Sequence, residues 1–176
     1  SSLGAVDPVI VIPGILGSWE KDGEWVIDPV LHTYDNLLAT LTANGYETNK
    51  TLFTLPYDWR NDIRSTALRL REKVDEVKNI CKCDSVDIVA HSMGGLVARS
   101  YIQSDAYLPR RDIDQVIFLA TPHLGAVGAY LTWEGGEPSE KKDIVAALIR
   151  SVMRAEAEDN HFEDIYDYVR NKPITS

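Results

Sequence analysis

One segment constrains the fold of this chain more than any other. The apolar run Val86–Ala90 is followed after three residues by a helical pattern from Gly94, and Ser92 lies in the turn between them. Ala90 and Gly94 stand two positions before and two positions after the serine. Small residues there let the backbone turn sharply and lift a hydroxyl clear of a sheet. The segment therefore predicts a buried strand, a tight turn with an exposed serine, and a helix.

Three further β-branched runs predict the other strands of a sheet. They are Val9–Ile12, Thr51–Leu55 and Val116–Ala120. Val9–Ile12 is uniformly apolar, as expected of a strand that is covered on both faces of a parallel sheet. Strands that alternate with helices predict right-handed crossovers. We expect a parallel sheet in which Thr51–Leu55 lies at one edge, next to Val9–Ile12, and Val116–Ala120 lies at the other, next to Val86–Ala90.

Apolar residues at helical spacing predict the helices. The longest predicted helix carries one stripe, formed by Ile63, Ala67, Leu70, Val74 and Val77. The polar, glycine-rich segment Trp133–Asp143 predicts a loop. Beyond it, an apolar face from Ile144 to Met153 belongs to a helix that either packs on the sheet or forms part of a lid over a lipid pocket.

Composition narrows the classes of partner. The net charge of −9 disfavours nucleic acid, whose phosphates would repel the chain. Cys81 and Cys83 are the two cysteines, and their separation of two residues argues against a disulfide between them. Two thiols without a nearby pair of histidines do not make a zinc site, so we expect neither a metal nor a cofactor. No apolar run approaches the roughly 20 residues of a membrane span.

The segment around Ser92 resembles the nucleophile elbow of the lipase superfamily of α/β-hydrolases. Pro8–Ser18 resembles the strand and oxyanion loop of these enzymes, in the Pro-Gly-x-Leu-Gly form of the lecithin:cholesterol acyltransferase and lysosomal phospholipase relatives. Tyr57–Arg60 resembles the Tyr-Asp-Trp-Arg signature of those relatives, and Ala120–Gly125 resembles their Thr-Pro-His turn. The resemblance runs from Pro8 to Gly125. It implies a three-layer α/β-hydrolase sandwich with a mostly parallel sheet.

The resemblance also implies roles for individual residues. Ser92 is the expected nucleophile. The backbone amides of Met93 and Ile15 are the expected oxyanion hole, with the amide of Leu16 as an alternative to that of Ile15. Such donors stabilise the transition state by about 3 kcal/mol each when they lie near 3 Å from the oxyanion.

Four polar residues are expected to support the site. His91 precedes the serine and should point away from it, so it is expected to be structural. His123 is expected to be a structural or pocket residue, with the role of general base as its alternative. Asp58 and Arg60 are expected to form an internal ion pair that braces the pocket. His32 and His161, outside these motifs, are expected to be solvated.

In this family the triad follows the order serine, acid, histidine along the chain. Nothing after Gly125 has the pattern of two further strands that end in an aspartate and a histidine. We therefore expect one partial domain over residues 1–176, truncated after the strand that follows the elbow, with its core at residues 8–125 and loops and helices at 126–176. An unpaired last strand would then dimerise, aggregate or be covered by the C-terminal helices.

The predicted function is a serine ester hydrolase or acyltransferase that acts on lipid or other apolar acyl esters. Transient contact with a lipid surface and a secreted or extracytoplasmic location follow from the resemblance alone. Two alternatives stay open. One is a catalytically inactive half-fold that serves as a binding or structural module, and the other is a thioesterase or peptidase on the same fold.

Overall fold

The computed structural model of the chain describes residues 6–135 and 144–172. The strands in these residues are β1 (Val9–Ile12), β2 (Ser18–Lys21), β3 (Glu24–Ile27), β4 (Leu52–Thr54), β5 (Val86–His91) and β6 (Ile113–Leu119). The helices are α1 (Asp35–Ala43), α2 (Ile63–Cys81), α3 (Met93–Ile102), α4 (Val127–Gly135), α5 (Ile144–Asp159) and α6 (Ile165–Asn171). Two compact units divide between Pro122 and His123.

A four-stranded parallel sheet organises the first unit. Its strand order is β4-β1-β5-β6, and every neighbouring pair is parallel. This is the order expected from the sequence, so the predicted mostly parallel α/β sheet is confirmed. β6 begins at Ile113, three residues before the predicted start. The carboxyl ends of the strands lie along one edge, where α/β proteins place their sites.

Helices cover the sheet on both faces, which gives the three expected layers. On one face Val9, Val11 and Val89 pack with Tyr34 and against Leu38 of α1. On the other face lie α2 and α3. The predicted stripe of α2 is buried from Ala67 to Val77, and Asp62 begins this helix by accepting hydrogen bonds from the amides of Arg64 and Ser65.

The structure adds a hairpin that the sequence analysis did not predict. β2 and β3 pair antiparallel through a turn at Asp22 and Gly23, which both have positive φ. An Asp-Gly pair favours this type of two-residue turn, so the signal was present in the sequence.

The predicted loop at Trp133–Asp143 is wrong at its start. Residues 133–135 belong to α4, and residues 136–143 lie outside the described residues. The surrounding sequence is apolar on all sides and carries Gly128, so it shows no amphipathic stripe from which to predict a helix.

The expectation about the two cysteines is also wrong. Cys81 and Cys83 form a disulfide, with their Cα atoms 5.2 Å apart. Lys82 between them is the left-handed C-cap of α2, with φ 57°. That conformation turns the chain back on itself, and the Cα separation falls within the range that disulfides span.

The second unit consists of helices. Ala146, Ala157, Ile165 and Tyr168 are its buried residues on α5 and α6. The predicted apolar face of α5 is half-buried at Leu148, Ile149, Val152 and Met153, whereas Val145 is exposed. The two roles predicted for this face, packing on the sheet or forming part of a lid, both stay predictions. The single partial domain over residues 1–176 also stays a prediction.

The described residues contain neither a membrane-spanning helix nor a metal-binding cluster. None of their helices combines the length and apolar content needed to cross a membrane. Within the same residues, no group of three or more His, Cys, Asp or Glu side chains is arranged to hold a metal ion.

Candidate active site

Ser92 lies at the sharp turn between β5 and α3. Its φ of 52° and ψ of −122° are a conformation that residues with a Cβ rarely adopt. The amide of Ser92 donates to the carbonyl of Leu119 at 2.8 Å, and its own carbonyl accepts from the amide of Gly95 at 3.0 Å. The turn is thereby fixed to the end of β6 and to the first turn of α3. Local strain of this kind persists only where surrounding contacts enforce it.

The turn contacts the end of β1 so closely that only glycine fits at two positions. A Cβ on Gly94 would lie 2.4 Å from the carbonyl oxygen of Pro13. A Cβ on Gly14 would lie 2.8 Å from the Cβ of Ser92. The loop after β1 therefore passes directly against the serine.

That loop, which we call the oxyanion loop, is Pro13–Gly17. The amide of Gly17 donates to the carbonyl of Gly14 at 3.0 Å, which closes the loop into a turn. Leu16 has φ 58° and is 1 % exposed, whereas the Ile15 side chain is 40 % exposed. The Leu16 side chain thus anchors the loop in the core, and the Ile15 side chain faces outward.

The amides expected to form the oxyanion hole remain available to a ligand. Within residues 6–135 and 144–172, the amides of Ile15, Leu16 and Met93 donate to no protein acceptor. Met93 is the first residue of α3, and helix N-termini direct such amides toward anions. The amides of Ile15 and Leu16 therefore both remain candidates for the loop donor of the oxyanion hole.

Three aromatic side chains hold the oxyanion loop and the residue after it in place. The Tyr57 hydroxyl donates to the carbonyl of Pro13 at 2.8 Å, and burial raises the pKa of Tyr57 well above its usual range, so the hydroxyl keeps its proton. Trp19 Nε1 donates to the carbonyl of Leu16 at 2.8 Å. Trp59 Nε1 donates to the carbonyl of Ser18 at 3.1 Å. The Tyr-Asp-Trp-Arg segment thus supports the loop through Tyr57 and holds the residue that follows the loop through Trp59.

His91 is half-buried and pairs with Tyr34. Its Nδ1 is 2.8 Å from the hydroxyl of Tyr34, and the two rings meet edge to face. The same hydroxyl accepts a hydrogen bond from the amide of Gly14 at 2.7 Å. Burial lowers the pKa of His91, which favours the neutral imidazole.

Asp58 and Arg60 lie together at the side of the oxyanion loop. Arg60 Nε donates to Asp58 Oδ1 at 2.7 Å, and Arg60 Nη2 donates to Asp58 Oδ2 at 2.9 Å. The guanidinium also lies over the ring of Trp25, 5.6 Å from its centroid. This pairing joins the hairpin β2–β3 to the segment after β4.

The remaining histidines lie on the surface. His123 is exposed at the start of the second unit. His32 is exposed and pairs with Asp35 at 3.0 Å, and His161 is exposed after α5. The role of His123, a structural or pocket residue or alternatively the general base, stays a prediction.

Two residues of this region carried no recognisable sequence signal. Tyr34 belongs to no local motif, and its partners lie 20 and 57 positions away in the sequence. The buried Asp28 accepts hydrogen bonds from the amides of Val30, Leu31 and Thr33, and so fixes the segment that precedes Tyr34. A cluster of Asp, Pro and Thr in this segment suggests a turn, but not which carboxylate organises it.

A family model matches most of the chain. The model of the lecithin:cholesterol acyltransferase family covers residues 24–160. This range contains the nucleophile elbow, the Tyr-Asp-Trp-Arg segment and the Thr-Pro-His turn.

Two curated relatives come from Arabidopsis thaliana. Lecithin-cholesterol acyltransferase-like 4 is 26% identical over 104 residues, which are 58% of this chain and 19% of that protein. Phospholipase A(1) LCAT3 is 32% identical over 101 residues, which are 56% of this chain and 22% of that protein. The chain therefore spans about a fifth of the length of these relatives.

A solved structure shares the fold. The mature form of the Bacillus licheniformis lipase BlEst2 superposes with a TM-score of 0.59 and 19% identity, over 93% of this chain and 62% of that one. At this identity the likeness establishes the α/β-hydrolase fold alone.

Proposed function

The chain belongs to the lecithin:cholesterol acyltransferase family, and on that premise we propose that it carries the nucleophile and oxyanion hole of a serine enzyme that transfers acyl groups from lipid or other apolar esters. One observation carries the proposal. Ser92 sits at a positive-φ turn between a buried strand and a helix, with the backbone of Gly14 directly against its Cβ.

The reaction follows from that geometry. Ser92 Oγ attacks the ester carbonyl carbon, and its proton passes to a histidine base. The carbonyl oxygen becomes an oxyanion, which accepts hydrogen bonds from the amide of Met93 and from that of Ile15 or Leu16. Collapse of this intermediate breaks the bond to the leaving alcohol, which takes the proton from the histidine. Water or an acceptor alcohol then attacks the acyl-enzyme and regenerates Ser92.

The acid and the histidine base are proposed to lie downstream of α6, in the serine–acid–histidine order of the fold. His91 is a poor candidate because, with Nδ1 accepting from the hydroxyl of Tyr34, the neutral ring carries its proton on Nε2 and has no nitrogen free to accept the proton of Ser92. Asp58 is a poor candidate for the acid because Arg60 engages both of its carboxylate oxygens.

The proposal is tested by labelling the full-length gene product with a fluorophosphonate probe, which reacts with activated serines. Wild type and Ser151→Ala, which alters an exposed serine of α5, should both be labelled. Ser92→Ala should not be labelled, and mass spectrometry should place the adduct on Ser92. Equal labelling of Ser92→Ala, or no labelling of the wild type, would overturn the proposal.

A further inference from the structure

The hydroxyl of Tyr34 lies where the oxyanion loop and the nucleophile elbow meet. Tyr34 is 4 % exposed, and its oxygen is 2.7 Å from the amide nitrogen of Gly14 and 2.8 Å from Nδ1 of His91. Gly14 belongs to the loop, and His91 immediately precedes Ser92. One buried oxygen atom therefore links the two halves of the candidate site.

The direction of each hydrogen bond follows from the donors present. The amide of Gly14 can only donate, so the Tyr34 oxygen accepts from it. Among the described residues, His91 Nδ1 is the one acceptor within hydrogen-bond distance of this buried hydroxyl, so we assign the Tyr34 proton to that contact and Nδ1 as the unprotonated ring nitrogen. His91 is thereby assigned as the neutral tautomer with its proton on Nε2.

The loop is closed around this hydroxyl. A Cβ on Gly17 would lie 2.9 Å from the Tyr34 oxygen and 2.6 Å from the Cβ of Pro13. Both glycines of the Pro-Gly-x-Leu-Gly motif thus lie at close approaches, Gly14 against Ser92 and Gly17 against Tyr34. Because Gly17 has no side chain, the motif leaves room for the hydroxyl of Tyr34.

The backbone and the ring of Tyr34 are both fixed by their neighbours. Its carbonyl accepts from the amide of Leu38, which places it at the start of α1. Its ring packs among Val9, Val11 and Val89 in the core of the sheet. The carboxylate of Asp28 fixes the preceding segment through three backbone amides. The hydroxyl therefore has little freedom to move away from its two partners.

We propose that Tyr34 is a positioning residue of the active site, whose hydroxyl sets the spacing between the oxyanion-loop amide and Ser92 by binding Gly14 and His91 at once. This inference rests on the proposed function. Oxyanion donors act only within a few tenths of an ångström of their proper distance, and a displacement of about 1 Å can cost ~100-fold in rate. The Tyr34 hydroxyl bonds to Gly14 and His91 and not to Ser92, so it acts through the loop and the elbow.

The first arm of the test reads the tautomer of His91 in the chain. Two-bond ¹H–¹⁵N correlation spectra at neutral pH should show Nδ1 of wild-type His91 as the unprotonated nitrogen and a hydrogen bond acceptor. Tyr34→Phe should change that Nδ1 shift, whereas Tyr107→Phe, which removes a hydroxyl bonded to the carbonyl of Ile113, should not. A wild-type His91 with its proton on Nδ1 would overturn the inference, and this measurement does not depend on whether Tyr34→Phe folds.

The second arm measures ester hydrolysis by the full-length gene product. Tyr34→Phe should lower kcat by roughly 10- to 100-fold on a p-nitrophenyl acylate, with KM changed less than about threefold, because the lost contact acts on the transition state. Tyr107→Phe should keep the wild-type kcat. A folded Tyr34→Phe with wild-type kcat would overturn the positioning role alone. A wild type that hydrolyses no ester would overturn the proposed function, and with it the catalytic part of this inference.

Discussion

At the scale of single residues, the candidate site depends on backbone conformations and close approaches more than on charge. Ser92 has a positive φ without being glycine, and Gly14 and Gly94 admit no side chain. A polar atom adds to this picture. The hydroxyl of Thr121 is buried without a hydrogen-bond partner among the described residues, and it packs where a Cβ on Gly95 would stand. Most buried polar atoms in native proteins have a hydrogen-bond partner, so this oxygen is an exception at the contact between the end of β6 and α3.

The strain at Ser92 predicts that glycine is more stable there. Ser92→Gly should raise the free energy of unfolding by about 1 kcal/mol, because glycine adopts this conformation without steric cost, even after its larger loss of entropy. The change also removes the hydroxyl of the proposed nucleophile. Ser100→Gly, inside α3, should instead lower stability by about 0.5 kcal/mol.

Urea denaturation of the three proteins measures both effects. Stability that falls on Ser92→Gly would mean that the serine side chain contributes more to the fold than its backbone strain removes.

The contact between α3 and the end of β1 predicts a large effect at Gly94. Gly94→Ala places a methyl group 2.4 Å from the carbonyl oxygen of Pro13, and both groups are backbone-anchored. Stability should fall by at least about 2 kcal/mol. Gly135→Ala, where a Cβ meets nothing within 4 Å, should change it by less than about 0.5 kcal/mol. Thermal unfolding of the two variants makes the comparison, and equal midpoints would contradict the close approach.

At the scale of elements, local sequence patterns predict some of the segments around the site, whereas others depend on contacts that the sequence does not reveal. The elbow, the four parallel strands and the buried stripe of α2 were predictable, because local periodicity and small residues specify them. The hairpin β2–β3 was missed although Asp22–Gly23 signalled it. α4 was missed because its residues are apolar on every side and no face stands out.

The residues that hold the site were harder to predict than its motifs. Ser92 and the oxyanion loop follow from local patterns, whereas Tyr34 acts through contacts 20 and 57 positions away. A single sequence records such contacts only as an aromatic residue before a helix. The disulfide Cys81–Cys83 was hidden for a similar reason, since it depends on the left-handed conformation of Lys82.

The segment before α1 predicts a dependence of stability on pH. Burial opposes ionisation of Asp28, but hydrogen bonds from Thr33, Leu31 and Val30 outweigh it and hold its pKa below the usual 3.8. A lowered pKa in the folded state means that the stabilisation is complete above the unfolded value and is lost as the pH falls through the folded value. Asp28→Asn should therefore cost about 1–3 kcal/mol at neutral pH and progressively less in acid.

Denaturation by urea at several pH values measures this loss. Asp22→Asn, at the exposed hairpin turn, is the matched control and should be near neutral throughout. A cost for Asp28→Asn that stays constant down to strongly acidic pH would rule out the ionised carboxylate as the cause.

At the scale of the whole molecule, β6 exposes apolar side chains at the edge of the sheet. It lies at the edge of the sheet, and Ile117, Phe118 and Leu119 are 55%, 40% and 37% exposed. Adjacent residues of a strand point to opposite faces, so apolar surface is exposed on both sides of this edge. Edges of this type pair with further strands unless charge or proline blocks them.

The exposed edge predicts self-association of the chain. Wild type should form dimers or larger species in sedimentation velocity as the concentration rises through the micromolar range. Ile117→Lys should shift this association to higher concentration, because a charged residue at an edge strand opposes pairing. Leu108→Lys, at a residue that is 65% exposed and lies outside β6, should associate as the wild type does. A wild type that is monomeric throughout would contradict the prediction.

The link through Tyr34 also determines when in folding the site comes into existence. Its hydroxyl joins segments around residues 14, 34 and 91, and contacts between such distant segments form late because loop closure costs entropy first. A growing or partly opened chain can thus contain every residue of the site and still lack the site itself. Because the Tyr34 ring packs with Val9, Val11 and Val89, opening of the segment around it also uncovers part of the core. Activity and fold should therefore be lost over the same range of temperature, so the thermal resistance of the activity is a property of the part of the core that holds this tyrosine.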